Sequence, residues 1–144
     1  MFSKYTKVAV LCGLLAIILT LSLQLSKTGQ INPASEVCEL NSASCEFLIE
    51  NQVIRLTFEP FPVQLEEEIQ LKAHLPSGWQ LQSGAIEGVN MYMGRIPLIT
   101  DGQNSGVFFL GSCSEARMQW QLLLEISTQN GTRYPLMVHF ITER

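Results

Sequence analysis

Two methionines two positions apart, and a cysteine followed five residues later by another methionine, are the side chains of this chain best suited to chemistry. They lie in Gly88-Val89-Asn90-Met91-Tyr92-Met93-Gly94 and in Gly111-Ser112-Cys113-Ser114-Glu115-Ala116-Arg117-Met118. Thiolate and thioether donors select Cu(I) over harder ions. In an extended strand, Met91 and Met93 leave the same face with Cα atoms roughly 6.5–7 Å apart, and their flexible chains can reach one ion. Gly88 and Gly94 flank the pair, which suits a bulge or a close backbone approach. The expectation is a Cu(I) site of Met91, Met93 and Cys113, with Met118 or His139 as a further ligand. Three donors and an exchangeable position suit delivery of the ion, or assembly of a copper enzyme, better than storage. The plainer reading packs the same groups into a core. Methionine is a common core filler, Met118 is in phase with Trp120 and Leu122, and Cys113 can serve as a small buried hydrophobe. His139 shares a strand face with Met137 and Ile141, which fits packing or ligation. His74 falls on the polar phase of its own strand.

Other chemistries find little support. The chain has no P-loop, no Gly-x-Gly-x-x-Gly, no His-Glu-x-x-His and no Cys-x-x-Cys. With two histidines on separate strands, no nucleophile–base–orienter set is visible, so a non-enzymatic role is expected. Zinc is disfavoured for want of paired Cys and His spacing. Blue copper is disfavoured because the His₂Cys ligand set is missing.

A long apolar run must position these groups relative to a membrane. Residues 8–25, VAVLCGLLAIILTLSLQL, carry no charge. At 1.5 Å per residue they span about 27 Å, close to a hydrocarbon core of roughly 30 Å. Lys4 and Lys7 precede the run and Lys27 follows it, a bias that keeps the N-terminus inside. Ser26-Lys27-Thr28-Gly29-Gln30 offers no small-x-small cleavage site, so an uncleaved anchor is favoured over a cleaved signal. The expected organisation is a cytoplasmic stretch at 1–7, a transmembrane helix at 8–25, a linker at 26–36 and one folded domain at 37–144. Beyond residue 27 the chain holds six basic and thirteen acidic side chains, a formal charge of −7. That excludes the basic footprint of a nucleic-acid binder.

Outside the anchor, Cys38, Cys45 and Cys113 make an odd number for an oxidising compartment. Cys38 and Cys45 are the expected pair, since only a short polar loop separates them. A bridge from Cys113 to either one, or thiol exchange among all three, is the alternative.

The domain itself alternates with period two. Residues 53–58, 69–75 and 118–126 place apolar side chains on one face, as half-buried strands do, and 134–142 carries them on both faces. Shorter strands are expected at 45–49, 84–91, 95–99 and 106–111. Pro76-Ser77-Gly78, the 101–106 loop and Gln129-Asn130-Gly131-Thr132 punctuate them. Glu66-Glu67-Glu68 reads as a solvated turn. The fold class is therefore all-β, an antiparallel immunoglobulin-like β-sandwich of seven to nine strands.

At Gly88–Gly94 and at Phe109-Leu110-Gly111-Ser112-Cys113-Ser114-Glu115, the chain resembles small membrane-anchored periplasmic proteins of gammaproteobacteria. The resemblance implies a bacterial inner-membrane protein with one span and its C-terminal domain in the periplasm. It brings no catalytic residues with it. In general design, an anchored small β domain, the chain is also similar to periplasmic copper chaperones of cytochrome-oxidase assembly, without their Cys-pair and Met/His motifs. The competing functional expectations are a thiol redox protein working through Cys113, Cys38 and Cys45, and a non-catalytic interaction module of a membrane complex. In the latter reading the apolar residues Leu123, Met137 and Ile141 contact a protein partner.

Overall fold

A computed structural model describes residues 36–144. The 8–25 run and all but the last residue of the 26–36 linker lie outside the described residues. Among the described residues, no helix is long and apolar enough to cross a membrane.

Ten strands are described: β1 (Glu36–Glu39), β2 (Ser44–Ile49), β3 (Gln52–Glu59), β4 (Glu68–His74), β5 (Gln80–Gly88), β6 (Arg95–Pro97), β7 (Ile99–Thr100), β8 (Ser105–Phe109), β9 (Arg117–Ser127) and β10 (Arg133–Glu143). They form two five-stranded sheets, β1-β10-β9-β5-β6 and β2-β3-β4-β8-β7. Every pairing is antiparallel except β1 with β10. Both sheets send side chains into one apolar core, an arrangement compatible with a β-sandwich.

The alternation in the sequence explains the elements. β9 buries Met118, Trp120, Leu122, Leu124 and Ile126 and turns the residues between them outward. β10 does the same with Tyr134, Leu136, Val138, Phe140 and Thr142. The buried Trp120 indole donates to Thr142 Oγ1 at 2.9 Å, so its one polar atom is satisfied inside the core. Gly131, at φ +80°, closes the β9–β10 hairpin at the Gln129–Thr132 turn.

The count differs from the expected seven to nine strands at two places. The stretch expected as one strand over 95–99 is split between the sheets. Leu98 is buried, and its side chain fills the space above two glycines: its Cδ2 and Cγ lie 2.9 and 3.0 Å from where Cβ atoms on Gly84 and Gly106 would sit. The chain passes from the edge of one sheet to the edge of the other at Leu98, leaving Arg95–Pro97 paired with β5 and Ile99–Thr100 with β8. The second difference is β1, four residues pairing parallel to β10 at the edge of the first sheet. It is too short to show a period.

Cys38 and Cys45 form the expected disulfide. It joins β1 of one sheet to β2 of the other, so a short loop becomes a covalent tie between the two layers. Replacing both by serine is expected to lower unfolding free energy by about 2 kcal/mol. Chemical denaturation of the full chain checks this, and an unchanged midpoint contradicts it.

Candidate functional site

The sulfur-bearing segments meet at the end of the first sheet where β5 and β10 finish and β9 begins. Gly88, the last residue of β5, pairs with Trp120. Val89 N then donates to Gln119 O at 2.8 Å, carrying the ladder one step further. At Asn90 the side chain takes over from the backbone. Its Nδ2 donates to Arg117 O at 3.0 Å and its Oδ1 accepts from Gln119 N at 2.9 Å. The amide therefore grips the backbone on both sides of Met118.

Gly88 is what lets the chain fold back here. A Cβ on it would lie 2.1 Å from Met91 O and 3.0 Å from Met118 Cε. The Met91 backbone and the Met118 thioether methyl thus crowd the same point, which only a hydrogen leaves open. Met118 itself is 1% exposed and belongs to the core. Met91 and Met93 are half-buried and pack against that core, while Tyr92 between them is 85% exposed. The expected strand does not extend to either methionine. β5 ends at Gly88 because Asn90 and the tight approach at Gly88 divert the chain into a loop. Gly94, at φ +79°, turns that loop into β6.

Cys113 lies in the connection from β8 to β9, four residues before β9 starts. It is the one free thiol among the described residues and is half-buried against the core. Its Sγ is 3.7 Å from Glu115 O, a weak contact. The connection is tethered on either side of it. Ser112 Oγ donates to Glu66 Oε1 at 2.6 Å, Arg144 N donates to Ala116 O at 3.1 Å, and Arg144 Nη1 donates to Cys113 O at 3.4 Å. A groove of about 800 Å³ borders this connection, lined by Pro62, Leu65, Glu66, Ser112, Arg117 and Arg144 among others.

Met91, Met93, Cys113 and Met118 therefore belong to segments that converge on the start of β9. His139 stands apart. It pairs with Gln121 on the outward phase of β10, opposite in phase to the inward-facing Met118 of β9. Its Nδ1 lies 3.0 Å from Glu39 Oε1 and its Nε2 3.2 Å from Met137 Sδ. Among the described residues, no three His, Cys, Asp or Glu side chains gather as a metal site. Any metal centre at this end would depend on thioethers. Sequence reasoning missed Asn90 and the role of Gly88. An asparagine after a strand is a visible turn signal, but nothing in its spacing says which strand it will grip.

No family model, curated protein or solved structure matches the chain.

Asn90→Ala removes both grips on β9 and is expected to cost about 1–2 kcal/mol of stability, with faster hydrogen exchange at the Gln119 amide. Exchange mass spectrometry of the full chain reads this. Unaltered protection at Gln119 would show that the side chain does not hold the loop.

Proposed function

We propose that this is a membrane-anchored periplasmic protein, with an immunoglobulin-like β-sandwich domain, that binds Cu(I) through Met91, Met93 and Cys113 for delivery to another protein. The observation that carries the reading is the convergence on the start of β9. A Met-x-Met loop is stapled over Met118 by Asn90, and the chain's unpaired external thiol lies four residues upstream of the same strand. Three features support this over simple core filling. Met91, Met93 and Cys113 are half-buried, so solvent reaches them, whereas true core groups such as Met118 are sealed. The Cys38–Cys45 bridge leaves Cys113 without a cysteine partner among the described residues. Soft donors are present where harder metal ligands do not cluster. Met118, sealed in the core, supplies the floor of the site rather than a further donor. His139, held by Glu39 and Met137 on the outer face, is left out of it.

A second reading, a non-catalytic interaction module, has its own support. Leu123, Met137 and Ile141 all face outward on the first sheet, clear of the core.

Competition titration with a chromogenic Cu(I) chelator tests the copper reading. The full chain is used in detergent with Cys12→Ser, and ascorbate maintains Cu(I) while the disulfide stays intact. One Cu(I) per chain is expected. Met91→Leu with Met93→Leu and Cys113→Ser should weaken binding at least a hundredfold while the circular dichroism spectrum is retained. Full affinity in that triple variant would dismiss these ligands.

A further inference from the structure

The outward face of the first sheet carries a row of apolar side chains crossing all five strands. The register places Val37 beside Met137, Met137 beside Leu123, Leu123 beside Ala85, and Ala85 beside Pro97. Val37, Met137, Leu123 and Pro97 lie outside the buried core, while Ala85, at 6% exposed, forms the low point of the row. A monomeric β domain usually turns polar residues outward on a sheet face, and a continuous apolar row there marks a contact surface.

We infer that this face binds a second copy of the chain, about a twofold axis running along β9. β9 is the middle strand of the five, so such an axis exchanges the two halves of the row. Leu123 then meets its own copy. Met137 of each chain faces Ala85 of the other, where a shallow depression of about 540 Å³ is lined by Ser83, Ala85, Pro97, Leu123 and Pro135 among others. The largest side chain of the row thus meets the smallest.

The charges argue for the same operator. The neighbouring row reads Glu39, His139, Gln121, Glu87, Arg95 from edge to edge. Reversed against itself, it sets Arg95 opposite Glu39, Glu87 opposite His139, and Gln121 opposite Gln121. A twofold along the apolar row would instead bring this row against Pro135, Glu125 and Ser83, with no such matching. Charges on the face are also balanced within each chain. Arg133 lies 2.9 Å from Glu125, Arg95 3.5 Å from Glu87 and Arg117 3.6 Å from Glu143. Glu125 would meet its own copy on the axis, each already neutralised by its Arg133. In a domain of formal charge −7, this near-neutral face is where two copies repel least.

The area suffices for a modest dimer. Five strands span about 24 Å and the two long strands about 35 Å. With short edge strands removing the corners, roughly 600 Å² per partner is covered, near the lower bound of specific interfaces. This inference does not depend on the copper reading.

The test is cysteine cross-linking of the full chain in detergent, in a Cys12→Ser, Cys113→Ser background. Leu123→Cys, on the axis, is expected to form a disulfide-linked dimer under mild oxidation. Val53→Cys, 60% exposed on the other sheet, should not. Arg95→Glu should reduce the Leu123→Cys yield at least fivefold, and adding Glu39→Arg should restore it. A Leu123→Cys yield no higher than that of Val53→Cys overturns the proposal, whether the face is bare or takes another partner. So does loss on Arg95→Glu without rescue.

Discussion

Strand β9 is the constraint on which the rest depends. Its inward residues, Met118 to Ile126, form the middle of the core, and its outward residues form the middle of an exposed sheet face. β5 and β10 pair with it along most of their lengths. A strand so buried on one side and so paired on both edges cannot slip by one residue without moving Trp120 and Leu122 into water. Its first residues are therefore fixed in space, and the loops that arrive there inherit that fixed frame.

Two loops use it. The segment after β5 is tied to it by one backbone hydrogen bond from Val89 and two side-chain hydrogen bonds from Asn90. The segment before β9 is continuous with it and is tethered by Arg144 and Glu66. Soft donors carried on these loops gain order from the strand while remaining partly open to solvent. In the copper proposal, that combination lets an ion be held and then handed on. The adjoining groove by Ser112 and Arg117 offers an approach to the Cys113 connection. The disulfide at the opening of the domain plays a different part, tying the two sheets together without entering this end.

Much of this was legible in the sequence. The long strands β3, β4, β9 and β10 each alternate for six residues or more, so their period exceeds the noise of local composition. The Cys38–Cys45 pairing followed from a short polar loop. Two things were hidden because tertiary contacts decide them. The break at Leu98 depends on Gly84 and Gly106 lying across the core from one another, far apart in sequence. The end of β5 depends on Asn90 finding the backbone around Met118, 28 positions away. Met91 and Met93, expected on one strand face, are instead presented by a loop.

The most direct test is X-ray absorption at the copper edge on the full chain loaded with one equivalent of Cu(I). The account predicts coordination by sulfur alone, with one scatterer lost on Cys113→Ser. A nitrogen- or oxygen-dominated environment that ignores this substitution would place the ion elsewhere and contradict it.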